Sequence, residues 1–339
     1  MHGPNLDALR EPADALAGES RWAGLVDLLA PVPVERLISR PGLAYRLGEA
    51  YYHTGRMEDL RELADRLQEG LRRERDTTGV MRALNLAGIA AFELGRVDAA
   101  RRAFESLMEL AEGEGDEDML ARAANNLGAL ANLQGRRAEA LSLYQLALAL
   151  YQRLGQLRGL AQTHQNLAIS FRDMRLLRES DFEYRQAEEI GRSFDYVPIV
   201  AMATVGRAEV AALRNDPEVA RKLVERGLAL ARELGDPITE GIALRVRALA
   251  RSASPPPSAD AEEQALSEAR ADLEAALELA RRTGNLLLEA ESLRDLARLE
   301  RRRGRGPEAD GLFRRAVDRF SVLGAAGEAA TLLEEADAG

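Results

Sequence analysis

The amino-acid sequence predicts an all-α fold, an α-solenoid of about seven helix–turn–helix repeats with capping helices at the N- and C-terminal ends. Two observations carry this prediction. Ala, Leu, Arg and Glu dominate the 339 residues and aromatic residues make up only 4%, a composition typical of helices. In addition, the chain is similar to itself at an interval of 40 residues, which indicates a repeat array.

The interval appears when the segment NLAGIAAFELGRVDAARRAF (85–104) is compared with NNLGALANLQGRRAEALSLY (125–144) and the segments after it. Three sets of positions fall into register. The small residues are Gly88, Gly128, Ala168 and Ala208, and twelve residues later come Ala100, Ala140, Ser180 and Ala220. The large side chains, four residues further on, are Phe104, Tyr144, Tyr184 and Val224. Turn residues lie between them at Gly95, Gly135, Arg175 and Asn215. Each copy therefore predicts two amphipathic helices that pack closely through their small residues, and neighbouring copies are expected to stack.

The extent of the array divides the chain into three segments. Residues 1–40 are expected to form a degenerate N-terminal helical cap, residues 41–325 the repeats, and residues 326–339 a C-terminal capping helix and tail. A Pro-rich insertion at 252–267 falls between the helices of the sixth copy, where Ala220 and its counterpart Ala269 are separated by 49 residues, not 40. Its composition favours a mobile loop over a docking segment.

The spacing of a small residue, an alanine twelve residues later and an aromatic residue four beyond resembles the tetratricopeptide (TPR) repeat, over roughly residues 41–325. The common TPR is shorter, about 34 residues, and has a Trp in its first helix. The longer period is similar to that of kinesin light chain, the G-protein-signalling modulators and the Rap-type peptide-sensing regulators. The resemblance implies a right-handed superhelix in which the first helix of each repeat lines a concave groove.

Carboxamide side chains are concentrated on the arc of the first helices that the resemblance turns toward the groove. They are Asn85, Asn125, Asn126, Asn132, Gln162, Gln165 and Asn166. Asn is a poor helix former, so paired asparagines within a helix need an explanation. Because a carboxamide both donates and accepts hydrogen bonds, a ladder of them can bind the backbone of an extended peptide. The alternative is a solvated polar face against which nothing packs.

Anchoring side chains are predicted beside the amides, because about five hydrogen bonds at about 1 kcal/mol each hardly exceed the ~2–5 kcal/mol that ordering a peptide requires. These residues are Tyr45, Tyr52 and Phe92 on the N-terminal side, Arg82, Arg122 and Arg172 in the middle, and Met202 and Val205 toward the C-terminal side. The arginines are equally consistent with ordinary surface charge. Met202 and Val205 form an apolar patch together with Leu213, Ile242, Val246 and Leu249. The alternative for this patch is self-association of the protein through residues 202–249.

The predicted function is a non-enzymatic scaffold that binds a peptide or a segment of a partner protein in the groove. The sequence has no HExxH motif, glycine-rich phosphate loop or nucleophile elbow, and no cysteine, so neither a metal nor a cofactor is expected. His164 is expected in the core, and His53 near the groove. The alternative is a sensor or regulatory protein that responds to a peptide or small ligand and acts on a signalling or transcription partner, since similar arrays form the effector-binding part of bacterial transcription regulators.

Charge and hydropathy bound the partners and the location. A net charge of −10 argues against a nucleic-acid surface, which requires concentrated positive charge. No run of 18 apolar residues is present, and the N-terminus has no basic region followed by an apolar stretch. The sequence therefore predicts a cytoplasmic protein with a protein or peptide partner and with neither a nucleic-acid nor a membrane partner.

Overall fold

The computed structural model describes residues 5–253 and 258–337, and the regular secondary structure in these ranges is helical throughout. A short 3₁₀ helix at Asp7–Leu9 precedes the α-helices. These are α1 (Arg10–Gly18), α2 (Trp22–Leu29), α3 (Val34–Ile38), α4 (Pro41–His53), α5 (Met57–Arg73), α6 (Thr77–Glu93), α7 (Val97–Glu114), α8 (Glu117–Leu133), α9 (Arg137–Leu154), α10 (Leu157–Asp173), α11 (Leu177–Ser193), α12 (Val197–Leu213), α13 (Pro217–Leu234), α14 (Pro237–Ala253), α15 (Ala259–Thr283), α16 (Leu286–Arg302), α17 (Gly306–Val322) and α18 (Ala326–Asp337). The predicted all-α fold is confirmed. Within the described ranges, no helix combines the length and the apolar character that crossing a lipid bilayer requires.

Helices α4 to α17 form seven antiparallel hairpins, here called repeats 1 to 7, from α4–α5 to α16–α17. The first helices of repeats 2 to 6 begin at positions 77, 117, 157, 197 and 237, which are 40 residues apart. Each hairpin packs against the next, so the described part of the chain is a helical solenoid, as predicted. Helices α1 to α3 precede the array and α18 follows it.

Close packing inside repeats 2 and 3 depends on a glycine of the first helix that faces an aromatic ring of the second. A methyl group added at Gly88 would lie 2.3 Å from the Phe104 ring, and one added at Gly128 would lie 2.7 Å from the Tyr144 ring. Phe104 and Tyr144 are each only 1% exposed. The sequence register therefore predicts the packing correctly: the ring occupies the space that a larger residue in the first helix would need.

The turns within the hairpins need a left-handed backbone residue. Gly95 and Gly135 have φ angles of 69° and 74°, which glycine adopts at little cost. Arg175 and Asn215 occupy the same place in repeats 4 and 5 with φ angles of 60° and 59°. The four turn residues identified in the sequence are thus structurally equivalent, although an L-residue other than Asn or Asp is strained in this conformation.

The Pro-rich insertion is mostly helical, so the predicted mobile loop is wrong for the residues after Ser258. The Ser258 hydroxyl caps α15 by accepting the Ala261 N–H at 3.2 Å, and the helix then runs for 25 residues. Arg302 on α16 donates to the Ser252 carbonyl and to Glu262, both at 2.6 Å. These contacts fix the extension against repeat 7, and the Pro-rich residues 254–257 lie outside the described residues.

Successive turns of the superhelix touch along a line that we call the inter-turn seam. It joins the hairpin turns at Gly55, Gly95 and Gln134 to the connections at Pro237, Leu286 and Gly324, in that order. A methyl group added at Gly95 would lie 2.4 Å from Leu286, and one added at Gly324 would lie 3.4 Å from Gln134. Repeats 1, 2 and 3 therefore lie against the starts of repeat 6, repeat 7 and α18, and the superhelix closes on itself.

Candidate functional site

The concave side of the superhelix encloses a cavity of about 880 Å³, a volume typical of ligand-binding clefts. Its walls come mainly from the first helices α4, α6, α8, α10 and α12. Twelve of the fifteen residues predicted to face the groove lie on these walls: Tyr45, Tyr52, Arg82, Asn85, Phe92, Arg122, Asn125, Asn126, Gln162, Gln165, Asn166 and Met202. The structure therefore brings most of the predicted residues to one site.

Four of the amides form a hydrogen-bonded ladder across repeats 2, 3 and 4. Asn166 Nδ2 donates to Asn125 Oδ1 at 3.1 Å, and Asn126 Nδ2 donates to Asn85 Oδ1 at 2.8 Å. A longer contact of 3.4 Å from Asn125 Nδ2 to Asn126 Oδ1 joins these two pairs. Each carboxamide has two N–H donors and one acceptor oxygen with two lone pairs, so the ladder uses only part of its hydrogen-bonding capacity.

Two acceptor atoms at the cavity wall have no donor among the described residues. Gln165 Oε1 and Asp118 Oδ1 are both buried without a hydrogen-bond partner, although both residues line the cavity. A buried acceptor that stays unpaired costs about 1–3 kcal/mol. An N–H donor brought by a ligand would remove this cost once the side chain rotates to turn its oxygen toward the cavity.

Arg82 and Arg122, the two predicted arginines that line the cavity, differ in how far they are already paired. Arg122 Nε donates to Asp118 Oδ2 at 3.0 Å, one helical turn away. Arg82 is exposed, and its guanidinium lies 5.4 Å from the centre of the Tyr45 ring without an ion pair in the described ranges. Because Arg82 keeps its hydrogen-bonding groups available, it is the stronger candidate for a ligand carboxylate.

The end of the cavity next to the inter-turn seam is aromatic and acidic. Tyr52, Glu93 and Asp236 line it, and burial first, then the nearby Asp236 carboxylate, raises the pKa of Glu93 to about 7. Burial also raises the pKa of Asp236 and of Tyr52. His53, expected near the groove, is stacked on Trp22 with 4.2 Å between ring centroids, and burial lowers its pKa to about 4.

The prediction that Asn132 faces the groove is wrong, because its side chain is consumed by contacts between repeats 3 and 4. Asn132 is 5% exposed. Its Nδ2 donates to Asp173 Oδ2 at 3.0 Å, and its Oδ1 accepts from Ser170 Oγ at 2.7 Å and from Arg137 at 2.6 Å. With one N–H and the carbonyl oxygen engaged in this way, the amide fixes the position of α10 against α8 and does not line the cavity.

Arg172 is also misplaced by the sequence prediction, and it belongs to a buried ion-pair network that links repeats 4 to 7. Arg172 pairs with Glu209 at 2.5 Å, and Glu209 accepts in turn from Arg245 at 2.6 Å. Arg245 pairs with Asp295 at 2.8 Å, and Asp295 with Arg294 at 2.9 Å. Ordinary surface charge, the alternative interpretation of the arginines, is wrong for Arg172 as well, since its side chain is 15% exposed.

The ion-pair network holds its charges firmly. Burial alone would raise the pKa of Glu209, but Arg172 and Arg245 lower it to about 2. The same balance between burial and two guanidinium groups holds the pKa of Asp295 well below its ordinary value. A side chain whose charge is fully neutralised by the protein in this way is not available to a ligand.

Val205 is the third residue that the sequence misplaces. It is 0% exposed and packs with Ala208, Val224 and Leu244 in a core formed by α12, α13 and α14. Val246, assigned to the same apolar patch, is also 0% exposed. The patch is thus only partly internal, since Leu213 is 37% exposed and Ile242 and Leu249 are half-buried. Met202 reaches the cavity. Self-association through residues 202–249 stays a prediction.

Sequence reasoning missed two groups of cavity residues. Asp7 and Asp14 of the N-terminal cap reach the cavity through ion pairs, Asp7 with Arg40 at 2.9 Å and Asp14 with Arg46 at 3.2 Å. The other group lies one turn before Arg122, Gln162 and Met202 on the first helices and comprises Asp118, Arg158 and Pro198, at 40-residue spacing. Extending the predicted arc by one helical turn would have found this second group. The first group had no signal in the repeat pattern.

No cluster of three or more His, Asp or Glu side chains suited to a metal ion occurs in the described ranges. His164 is half-buried and its Nδ1 lies 2.6 Å from Glu183 Oε2 on α11. This histidine connects the two helices of repeat 4 and does not line the cavity.

Comparison with known proteins relates this architecture to a family. A family model described as tetratricopeptide repeat matches residues 120–154 and 290–320, which correspond closely to repeats 3 and 7. No curated protein sequence matches the chain. The resemblance seen in the 40-residue register is therefore supported directly in two of the repeats.

Among solved structures, a Rap protein complexed with competence and sporulation factor is similar over 96% of this chain and 90% of that chain, with a TM-score of 0.65 and 13% identity. The APC/C hetero-tetramer Cut9–Hcn1 is similar over 96% of this chain and 54% of that chain, with a TM-score of 0.62 and 14% identity. Aspartyl phosphate phosphatase F from Bacillus subtilis is similar over 86% of this chain and 74% of that chain, with a TM-score of 0.58 and 14% identity. At these identities the likeness concerns the fold.

Proposed function

We propose that this chain, a solenoid of tetratricopeptide repeats, is a non-enzymatic interaction protein that binds an extended peptide, or an extended segment of a partner protein, in its concave cavity. The observation that carries the proposal is the amide ladder from Asn85 to Asn166 on the cavity wall. Its spare donors and acceptors follow one another along three successive repeats. The N–H and C=O groups of an extended peptide follow one another along the peptide in the same way, so the two sets of groups can pair.

The unpaired acceptors favour a ligand that supplies N–H groups. Gln165 Oε1 and Asp118 Oδ1 have no donor among the described residues. The N–H groups of Asn85 and the second N–H of Asn126 are available to carbonyl oxygens of a ligand. A peptide backbone offers both kinds of group in alternation. A ligand with only acceptors, such as an inorganic anion, would leave the two buried oxygens unpaired.

Side chains beside the ladder supply anchors. Arg82, with no ion pair among the described residues, favours an acidic residue in the ligand, while Phe92 and Met202 offer apolar contacts at other points of the cavity. Hydrogen bonds contribute about 1 kcal/mol each, against about 2–5 kcal/mol for ordering a flexible segment. These anchors therefore decide whether binding is tight enough to be useful.

Two of the similar structures support a peptide or protein partner. One is a Rap protein complexed with competence and sporulation factor, and the other is the assembly of Cut9 with Hcn1. The third is named a phosphatase, which bears on the non-enzymatic part of the proposal. The cavity histidine here, His53, is buried, stacked on Trp22 and held neutral by a pKa of about 4, which fits poorly with a proton-transfer role.

A library of random peptides displayed on phage tests the proposal. Peptides that bind the full chain should lose at least tenfold in affinity when Asn85, Asn126 and Asn166 are replaced with Ala, measured by calorimetry with the synthetic peptide. The control replaces three exposed amides of second helices, Gln145, Gln152 and Gln264, with Ala. Equal affinity for both triple variants, or selected peptides that do not compete with one another for the cavity, would refute the assignment of the site.

The second candidate is a sensor that changes shape when its ligand binds, and one observation favours it. Tyr52, Glu93 and Asp236 line the cavity and also lie at the inter-turn seam, so an occupant of the cavity touches the contact that closes the superhelix. A selected peptide that alters the distance across the seam supports the sensor. A peptide that binds equally tightly without changing this distance supports the passive scaffold.

A further inference from the structure

The inter-turn seam covers the hairpin turns of some repeats and leaves those of others open. In repeats 1 and 2 the turn residues Gly55 and Gly95 are buried, and Leu286 of the next superhelical turn lies against Gly95. The equivalent turn residues of repeats 4 and 5, Arg175 and Asn215, are exposed. The turns of repeats 4 and 5 therefore form a rim that the seam does not reach.

We call this rim the turn edge and define it as residues 174–179 and 213–219. Three large apolar side chains are exposed on it: Leu176, Leu213 and Val219. Its charged side chains without an ion pair among the described residues are Arg175, Arg178, Arg214, Glu179 and Asp216. The Asp216 carboxylate is already engaged, because it caps α13. The turn edge thus combines apolar groups with an excess of positive charge.

The opposite edge of the superhelix is formed by the connections that lead into repeats 3, 4 and 5. We call it the connection edge and define it as residues 112–117, 154–157 and 194–196. Two leucines are exposed on it, Leu154 and Leu157. Leu157 is the first residue of α10, the position that Leu286 holds in α16. It therefore presents to solvent the group that the seam places against Gly95.

The charges of the connection edge are opposite to those of the turn edge. Its charged residues are all acidic: Glu112, Glu114, Asp116, Glu117 and Asp195. Glu117 is paired with Arg153 at 2.6 Å, and the other four form no ion pair among the described residues. Of the nine most exposed large apolar side chains in the described ranges, five lie on these two edges. The edges therefore match each other in apolar character and complement each other in charge.

We propose that the turn edge of one molecule binds the connection edge of a second copy of this chain, so that the second copy lies where a further superhelical turn would lie. The seam is the precedent within the chain, because there the turns of repeats 1 to 3 meet the connections that begin repeat 6, repeat 7 and α18. The contact concerns the outer edges only. It does not depend on the peptide proposed for the cavity, and either proposal can fail without the other.

Because the two edges are different surfaces, the contact is heterologous, and assembly continues into an open chain of molecules or closes into a ring. The opposite charges should speed the encounter and fix the orientation, while the leucines supply apolar area. Association should therefore weaken as the salt concentration rises. Leu213 is the one residue of the apolar patch at 202–249 that takes part, so this contact differs from the self-association predicted from the sequence.

Sedimentation velocity of the full chain over a range of protein concentrations measures the association. The weight-average mass should rise above that of a single chain as the protein concentration increases, and it should rise less at high salt. Size-exclusion chromatography with light scattering provides a second measurement of the same mass.

Two edge variants test the surfaces. The turn-edge variant carries Leu176→Glu and Leu213→Glu, and the connection-edge variant carries Leu154→Arg and Leu157→Arg. Each substitution removes an apolar contact and places a like charge opposite the partner's edge. The association constant of each variant should therefore fall at least about tenfold.

The matched control makes the same kind of change outside both edges. It carries Leu146→Glu and Phe182→Glu, at exposed positions of second helices, and it should associate as the parent chain does. Far-UV circular dichroism verifies that every variant is folded. If the turn-edge variant fails to fold, Arg178→Glu with Arg214→Glu, at exposed charged positions, takes its place and should also weaken association.

An equimolar mixture of the two edge variants separates this contact from a symmetric one. Each variant keeps one intact edge, so the mixture should form a one-to-one dimer and nothing larger, although each variant alone stays monomeric. A parent chain that is monomeric at every concentration overturns the proposal. So do edge variants that associate as the parent does, a connection-edge variant that dimerises alone, or a mixture that remains monomeric.

Discussion

The amide ladder and two central members of the buried ion-pair network, Arg245 and Asp295, occupy equivalent positions of the same scaffold. In repeats 2, 3 and 4 the ninth or tenth residue of the first helix is an amide that borders the cavity, as in Asn85, Asn126 and Asn166. In repeats 6 and 7 the same positions hold Arg245 and Asp295, which are 0% and 4% exposed. Repeat 5, with Val205 and Gly206 there, forms the boundary between the two regions.

The difference shows that the backbone of the solenoid does not decide where a ligand can bind. Amides on successive helices pair with one another weakly and keep spare donors and acceptors beside open space. Complementary charges on successive helices attract one another strongly, neutralise one another and exclude water, so that face becomes an interior. One region of the concave side therefore leaves hydrogen-bonding groups open to the cavity, and the other holds repeats 4 to 7 together.

The largest expected effect comes from breaking the ion-pair network. Arg245→Ala leaves Glu209 and Asp295 buried with their charges only partly compensated, so the free energy of unfolding should fall by about 3–5 kcal/mol. Urea unfolding followed by circular dichroism measures it. Arg82→Ala, in the amide region, removes an exposed arginine with no ion pair among the described residues and should change stability by less than about 0.5 kcal/mol.

A combined substitution sharpens this contrast. Replacing Arg245, Glu209 and Asp295 together with Met, Leu and Leu removes the central charges of the network and should recover part of the loss, because apolar residues of similar volume need no compensation. Arg172 then keeps Asp173 as its partner at 2.8 Å, and Arg294 keeps Glu328 at 3.4 Å. If Arg245→Ala loses less than about 1 kcal/mol, the network does not hold the C-terminal region together, and the comparison between the two regions fails.

Acid should weaken the ion-pair network. The folded-state pKa of Glu209 is about 2, below the ordinary 4.5, so its contribution to stability is complete above pH 4.5 and is lost as the pH falls toward 2. This amounts to roughly 3 kcal/mol. Urea unfolding of the parent chain between about pH 5 and pH 2.5 should show the decline. The Met–Leu–Leu variant is the control and should show a shallower one, and equal slopes would exclude the network as the cause.

The fold was predictable from the sequence because its determinants are local and periodic. Gly88 with Phe104, and Gly128 with Tyr144, recur at a fixed interval within one hairpin, and a hairpin needs only its neighbours to complete its core. Most cavity residues were predictable for the same reason. Helical periodicity fixes the angle at which a side chain leaves a first helix, and the arc that contains Asn85 and Asn126 was placed correctly.

The remaining features depend on quantities that periodicity does not contain. Asn132, Arg172 and Val205 leave their helices at suitable angles, but the neighbouring first helix approaches closely there and covers them. The pitch of the superhelix is the sum of small rotations over many repeats, so the contact between Gly95 and Leu286 across the inter-turn seam has no signature in any single repeat. The N-terminal extension of α15 was not predicted, because the Pro-rich composition favoured a loop over the Ser258 N-cap and the helical residues that follow it.

The smallest expected effect tests whether the scaffold beneath both regions is the same. The turn of repeat 3 has Gly135 with a φ of 74°, and the turn of repeat 4, where the network begins, has Arg175 with a φ of 60°. A methyl group added at Gly135 would have nothing within 4 Å of it, and Arg175 is exposed. A substitution at either position therefore acts through backbone conformation alone and disturbs no packing.

Arg175→Gly relieves a left-handed conformation that costs an L-residue about 1–2 kcal/mol, although the more flexible unfolded chain takes back about 0.4–1 kcal/mol. The net expectation is a gain of roughly 0.5 kcal/mol in the free energy of unfolding, and Gly135→Arg should lose about as much. Urea unfolding of both variants decides the matter. If the two changes do not have opposite signs and similar size, the turns of repeats 3 and 4 are not equivalent, and the two regions differ in scaffold as well as in the residues that the scaffold presents.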